Sequence, residues 1–495
     1  MKRYGNFIDG VMDFDGEEEV LYSPADGRQI AVITKANYEK AKEAIDSAEH
    51  TFKNVWSSIS LQRRRQLLLR LSEIVQERSD EYSLLESLNT GKTLRQSMFM
   101  DIPLGIEHIS YFAEKAEFRD SREIEHPEYP GTKGIVQYLP LGVVAAIAPW
   151  NVPFLMAVWK IAPALLAGNT VVLKPSHYTP LTALELAEDA KKAGFPDGVL
   201  NVVVGDGSTV GNALIESEKV NHVSFTGSTR TGKEVMMKSS SSFKKITLEL
   251  GGKSPNIVFD DADLNRAAKG ILFGIYLNSG QLCESGSRLL VQSDIKNKLM
   301  EKIRYYMARM RAGNPTDMET DISAITTQEQ RNKIIEIVER SKDKGADVLY
   351  SKEISGKVPE KGIFYPPTLL DNVSSDMDAA REEIFGPVLA VMEFKDEDEA
   401  VKIANDTDYG LAAGVWSKDI DKANRVANRI LAGTIWINEY HLLSAAAPRG
   451  GFKKSGIGRE LGLEGILEMT QTRHIFINES GTDLSDVAYA LVVNE

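Results

Sequence analysis

GVVAAIAP (142–149), NTVVLKP (169–175), LTALELAEDAKKAG (181–194) and VLNVVVG (199–205) decide the fold class. The first, second and fourth are short apolar runs, rich in β-branched residues and closed by Gly or Pro, which is how strands buried on both faces read. The third places apolar residues at helical spacing and stops at Gly194. STVGNALIES (208–217) then reads as a helix, VNHVSFTG (220–227) as a strand, and TGKEVMMK (231–238) opens another helix. Strands alternating with helices at this spacing predict a parallel sheet with helices on its faces. After KKITLELGGKSPNIVFD (244–260) a second alternating region runs to about residue 455, so one boundary falls near 250. Upstream, residues 38–118 read as helical, with Leu67, Leu68, Leu71 and Ile74 on one face. EIEHPEYPGTKGIVQYLP (123–140) and TRHIFIN (472–478) read as extended arms.

Composition narrows the classes. The chain has 495 residues, 42% hydrophobic and 26% charged, which suits a folded chain of about three domains and excludes a wholly disordered or fibrous one. Its net charge of −13 opposes nucleic acid and anionic membrane as partners, because both carry the same sign. The apolar region Leu139–Leu173 is broken by Asn151, Lys160, Asn169 and three prolines, so it predicts buried core rather than a membrane span of ~20 residues. MKRYGNFIDG lacks the apolar stretch of a secretory signal. There is one cysteine, Cys283, so neither an intrachain disulfide nor a multi-cysteine metal site is expected, and no metal is assigned. These readings place the protein in the cytoplasm.

Several stretches bear chemistry. FTGSTRTGKE (225–234) follows a strand and opens a helix, so Gly227 and Gly232 would let backbone N–H groups approach a phosphate. The spacing nearly matches a P-loop, but Glu234 stands where Ser or Thr must hold magnesium. A ligand-free glycine turn and a nucleotide site both remain open for this stretch. Cys283, in the polar loop NSGQLCESGSR (278–288), is either an inert packing thiol or a nucleophile. Glu249 interrupts the apolar run ITLEL, which points either to a solvated face or to a general base. Asn151 is a turn former or an oxyanion donor, and Lys174 lies where α/β sheets bind ligands.

In combination and order, APWN (148–151), LKPS (173–176), FTGST (225–229), LELGGKSP (248–255), GQLC (280–283), EEIFGPV (382–388) and RGGFKKSGIGRELG (449–462) closely resemble the aldehyde dehydrogenase superfamily. The resemblance implies an α/β fold with a Rossmann-like cofactor domain (1–121 and 141–250), an α/β catalytic domain (251–467) and a β oligomerisation arm (122–140 and 468–495). It implies oxidation of an aldehyde to a carboxylic acid by NAD or NADP, through a thiohemiacetal and a thioester on Cys283. Asn151 would hold the oxyanion and Glu249 would activate the hydrolytic water. Trp150, Lys174, Ser176, His177, Gly207, Gly211, Phe225, Gly227, Ser228, Glu383 and Phe385 match cofactor positions. Val152, Trp159, Leu277, Leu443 and Arg449 match the substrate funnel, and Asn438 a position behind the active site. A small aldehyde is the implied partner, and a homodimer or homotetramer the implied assembly.

Three departures stand out. His177 occupies the place where NAD-preferring members carry a ribose-binding glutamate, which makes NADP admissible. The funnel wall is mostly aliphatic. Arg449 replaces a frequent aromatic, and either meets an anionic substrate or pairs with Glu284. A P-loop NTPase and a non-catalytic structural relative are the rivals. The first leaves Cys283 and Glu249 without roles, and the second should have lost one of them.

Overall fold

A computed structural model describes residues 1–354 and 357–479, together with Tyr489 and residues 491–493. The apolar runs that open the sequence reading form the centre of an eight-stranded sheet. Its order is Gly456–Ile457, Lys245–Glu249, Val220–Thr226, Val143–Ile147, Thr170–Lys174, Leu200–Val202, Asn6–Ile8, Val11–Asp13. The five strands from Lys245–Glu249 to Leu200–Val202 are parallel, and the outer ones antiparallel. Every residue of Val143–Ile147 and Thr170–Lys174 is buried, as two-sided coverage by helices requires. The chain moves outward from Val143–Ile147 through Thr170–Lys174 to Leu200–Val202, then returns to the other side with Val220–Thr226. That reversal opens a crevice at the carboxyl ends of Val143–Ile147 and Val220–Thr226.

Helix Pro153–Ala167 packs wholly buried beneath this crevice. It begins on a proline suited to the first turn and ends at Gly168, whose φ of 98° only glycine adopts without strain. Helix Leu181–Ala193 ends at Gly194 as the sequence predicts. The upstream helical stretch divides into Tyr38–Asn54, Leu61–Glu77, Ser79–Thr90 and Ile102–Glu114. Ser60 caps the second by accepting from Arg63 N, a contact worth ~1 kcal/mol.

The second alternating region forms a seven-stranded sheet, ordered Asp347–Ser351, Thr368–Asp371, Val388–Phe394, Arg288–Gln292, Pro255–Val258, Ala412–Trp416, Thr434–Ile437. All its pairs are parallel except the first. Ser121–Glu125 and Thr470–Asn478 flank Thr132–Pro140 in a separate three-stranded antiparallel sheet. Gly456–Ile457, far along the chain, pairs with Lys245–Glu249 and so ties the end of the second region to the first sheet. Most of the expected arm beyond residue 479 lies outside the described residues. No helix among the described residues is long and apolar enough to cross a membrane.

Candidate active site

The two strand ends at the crevice carry Pro149, Trp150 and Asn151 on one side and Thr226, Gly227 and Ser228 on the other, and all six line one cavity. The glycine-bearing turn 225–234 is a cap and a packing device. The Ser228 side chain accepts from Thr231 N, and a Cβ on Gly232 would lie 2.5 Å from Leu250 Cδ2. Gly232 therefore lets the helix approach Leu250, just past the end of strand Lys245–Glu249.

Cys283 reaches the cavity from the second region, on the loop after helix Leu264–Tyr276. The backbone before it is strained. Asn278 (φ 47°) and Ser279 (φ 49°) both sit in the left-handed region, which costs non-glycine residues of order 1 kcal/mol or more each. Four contacts hold them there. Asn278 N donates to Gln96 Oε1 (3.0 Å), Asn278 Nδ2 to Asn151 O (3.1 Å), and Ser279 Oγ to Ser323 O (2.7 Å). Gln281 Nε2 donates to Asn278 O (3.0 Å). Asn151 Nδ2 in turn donates to Gln281 O (2.8 Å), which fixes the amide beside the cysteine and leaves its second N–H free of a protein partner. Burial pushes the Cys283 thiol up to about 12, with Arg449 acting in the opposite direction.

Glu249 ends its strand buried, with Oε1 lacking a hydrogen-bond partner. Burial, and then the nearby Glu460 carboxylate, push its carboxyl well above the usual range. It does not line the cavity. Its Oε1 lies 2.9 Å from where a Cβ on Gly450 would stand, so it rests behind the cysteine against the 449–462 loop. Glu460 is held there by Lys160 Nζ (2.5 Å) and Ser224 Oγ (3.0 Å). Neither Lys160 nor Glu460 was singled out as a site group from sequence. Lys160 appears there only as a polar break in an apolar run.

The cofactor positions fall into two groups. Glu383 and Phe385 line the same cavity as Cys283. Glu383 Oε1 accepts from Gly252 N (3.2 Å), and the Phe385 ring meets Trp150 edge-on at 5.2 Å. Lys174, Ser176, His177, Gly207, Gly211 and Phe225 do not line it. Lys174 is buried, and its one hydrogen-bond partner among the described residues is Pro175 O at 3.4 Å. Burial brings its ammonium down to about 8. A Cβ on Gly207 would meet nothing within 4 Å, and one on Gly211 would lie 3.9 Å from Lys174 Cε. An ammonium with unfilled donors under an open glycine turn fits the hydroxyls of a nucleotide ribose. His177 Nδ1 lies 3.7 Å from Asp206 Oδ1, and burial lowers its pKa.

All five funnel positions, Val152, Trp159, Leu277, Leu443 and Arg449, line the cavity. Of the two readings of Arg449, the structure favours the ion pair, because its guanidinium contacts the Glu284 carboxylate. Asn438 is turned to Ser417, taking its N–H at 3.0 Å and donating to its carbonyl at 2.8 Å. Met100, Asp101, Gln330 and Lys333 also line the cavity. They come from helical segments distant in sequence, and no local motif marks them. Among the described residues, no group of three or more His, Cys, Asp or Glu is placed to hold a metal.

Comparison with known proteins agrees with this geometry. The model of the aldehyde dehydrogenase family matches residues 12–475. A relative named betaine aldehyde dehydrogenase, from Bacillus subtilis (strain 168), is 42% identical over 95% of this chain and 97% of its own length. A betaine aldehyde dehydrogenase from Staphylococcus aureus, solved in complex with NAD+, superposes with a TM-score of 0.93 at 38% identity, covering 98% of this chain and 96% of that one. The NAD-dependent aldehyde dehydrogenase from Sinorhizobium meliloti gives a TM-score of 0.93 at 38% identity, with coverage of 97% and 95%. The chain thus belongs to the aldehyde dehydrogenase family and is an NAD(P)-dependent oxidoreductase that oxidises aldehydes through a cysteine.

Proposed function

We propose that Cys283 is that cysteine, that Asn151 and Glu249 serve it, and that the product is a free carboxylic acid. The observation that carries this reading is the meeting of the Cys283 loop and Asn151 in one cavity, with the buried Glu249 directly behind. Cys283 gives its proton to solvent water as its sulfur bonds to the aldehyde carbon and the carbonyl π bond opens, giving a thiohemiacetal oxyanion. The free N–H of Asn151 Nδ2 and the Cys283 backbone N–H stabilise that charge where it develops. NAD(P)+, when bound, supplies the hydride acceptor, and Trp150, Glu383, Phe385, Lys174, Ser176, His177, Gly207, Gly211, Phe225, Gly227 and Ser228 would hold it. Loss of hydride leaves a thioester on Cys283. Glu249 then turns from Gly450 toward the cavity and takes a proton from water as the water attacks the acyl carbon; the tetrahedral adduct collapses, the carbon–sulfur bond breaks, and the carboxylic acid leaves while the Cys283 sulfur regains a proton. Burial raises the pKa of Glu249, which makes its carboxylate a stronger proton acceptor than a solvated one.

The decisive test is Cys283→Ala, which should abolish aldehyde oxidation while the cofactor still binds, because the covalent path is gone. Turnover near wild type would overturn the assignment.

We further propose three units: 1–121 with 141–250 for the cofactor, 251–467 for catalysis, and 122–140 with 468–495 for assembly into two or four copies. The exposed outer face of Thr470–Asn478 supports the last, since an unpaired edge invites a partner strand. A reducing, cytoplasmic setting suits a chain whose single cysteine is free. Both NAD and NADP are proposed as acceptable, given His177 at the ribose. The relatives' name offers a trimethylammonium aldehyde as an alternative substrate. The 42% identity supports it, and the ion pair in the cavity wall opposes it.

A further inference from the structure

The Glu284–Arg449 pair lies in the wall of the aldehyde cavity, one residue from the nucleophile on the Glu284 side. Both side chains are more than nine-tenths buried. Arg449 is fixed from several directions. Its backbone exchanges hydrogen bonds with Glu460 (N to Glu460 O, 2.7 Å; O from Glu460 N, 2.8 Å). Its guanidinium carbon stands 5.8 Å from the Trp159 ring centre and 6.0 Å from that of Trp436. Both indole N–H groups are tied elsewhere, Trp159 Nε1 to His108 Nδ1 (2.8 Å) and Trp436 Nε1 to Leu442 O (2.8 Å), so the rings cannot turn away. Glu284 has a second partner, His441 Nδ1 at 2.9 Å. Two other acids line the cavity: Asp101 is paired with the buried Lys92, and Glu383, among the proposed cofactor residues, accepts from Gly252 N (3.2 Å).

Tryptophan faces attract cations through the ring quadrupole, and a quaternary ammonium is bound in this way. In this protein the face of Trp159 at the cavity already has the chain's own cation beside it, and Trp150, the other tryptophan of the lining, meets Phe385 edge-on. A cationic aldehyde would lose that contact and meet a like charge in a water-poor pocket. A neutral chain would pack against Leu277, Leu282, Leu443 and Met100 at no such cost. We propose that the Glu284–Arg449 pair is a charge filter that directs the enzyme to neutral aldehydes and against those bearing a cationic group near the carbonyl. The inference rests on the assignment of Cys283 and its cavity as the aldehyde site.

The test uses an isosteric pair: trimethylammonioacetaldehyde and its tert-butyl counterpart, in which carbon replaces the charged nitrogen. kcat/KM is measured for both with wild type, Arg449→Phe, Glu284→Gln and the double variant Arg449→Phe/Glu284→Ser. Comparing the cation-to-neutral ratio between enzymes cancels intrinsic differences in reactivity. Arg449→Phe should raise that ratio at least about ten-fold, since it frees the tryptophan face and leaves Glu284 uncompensated. Glu284→Gln should lower it, because the guanidinium is then unopposed. The double variant leaves no buried charge that would impair folding, and its ratio should fall between those of wild type and Arg449→Phe. A merely structural pair would move both substrates together. Ratios within about two-fold of wild type in all variants, or shifts of the opposite sign, overturn the filter while leaving the oxidation itself intact. Failure of wild type to oxidise the tert-butyl aldehyde or any straight-chain aldehyde would overturn both this inference and the assignment of the site.

Discussion

Cys283 and Glu249 divide one problem, because burial disfavours the charged form of each. The thiol is held up at about 12, so attack requires its proton to leave as the bond forms or a cation to approach, and Arg449 is the cation that acts on it in the resting chain. For Glu249 the elevated pKa means a protonated carboxyl at low pH and a usable base only as the pH rises. Turnover limited by thioester hydrolysis should therefore climb with pH along a limb set by Glu249. In Glu249→Gln that limb should vanish and steady-state turnover should fall by ~10²–10⁴-fold, preceded by a single burst of reduced cofactor and an acyl adduct on Cys283 visible by mass spectrometry. An unchanged pH profile and turnover in the variant would remove the base from the mechanism. At the ribose, His177→Glu should shift the kcat/KM ratio toward NAD over NADP, because a carboxylate accepts two ribose hydroxyls and repels a 2′-phosphate. If the ratio stays put, discrimination rests with neighbours such as Lys174, Ser176 or Asp206. Cys283, Glu249, Lys174, Ser176 and His177 were legible in the sequence because each sits in a short motif at a strand end or loop; Asp206 was not. The orientation of Glu249 away from the cavity was not, since it depends on Gly450 and Glu460 across the fold.

In the proposed mechanism the Cys283 loop is the element on which the chemistry depends, and its geometry was the least visible beforehand. NSGQLCESGSR reads as a polar glycine loop, and nothing in it announces left-handed Asn278 and Ser279. The strain is held by Gln96, Asn151 and Ser323, from three other parts of the chain. Gln281 is the internal brace, donating to Asn278 O and Ala324 O and accepting from Thr326 N at 2.9 Å. Gln281→Ala should leave buried groups unpaired, cost about 1–3 kcal/mol of stability, and reduce kcat more than it raises KM, because the nucleophile loses its aim. Thermal unfolding and steady-state kinetics on the same preparation check both halves, and an intact kcat would show that the loop holds without its brace. The strand-turn-helix at 225–234 serves more than one end: Gly232 makes the contact with Leu250 and Ser228 caps its own helix, while Gly227 and Ser228 also line the cavity where the cofactor is proposed to bind. Spacing alone does not distinguish a glycine needed for a ligand from one needed for a neighbouring side chain.

For the whole molecule, the alternation of strand and helix made both parallel sheets readable from the sequence, since buried parallel strands must be apolar throughout. The closures were hidden. The two-residue strand Gly456–Ile457 is too short to have a pattern, yet it completes the first sheet from the far end of the chain. The assembly surface is likewise a property of the folded whole. Phe476, half exposed on Thr470–Asn478, stacks on His126 at 4.3 Å within the chain. If the proposed arm joins subunits, Phe476→Asp should shift the protein to a smaller species in light scattering, and an unchanged mass would place the interface elsewhere. The pairing of Thr470–Asn478 with Thr132–Pro140 also sets a timetable. Asn169 in the first sheet waits for Met469, and Lys160 for Glu460, each 300 residues later. At ~5–20 residues per second a ribosome needs roughly 15–60 s to deliver those partners. Until then Lys160 lacks Glu460, and Thr132–Pro140 has only Ser121–Glu125 beside it. Closure of the first sheet by Gly456–Ile457 and of the arm sheet by Thr470–Asn478 therefore falls to the last stretch of chain to leave the ribosome.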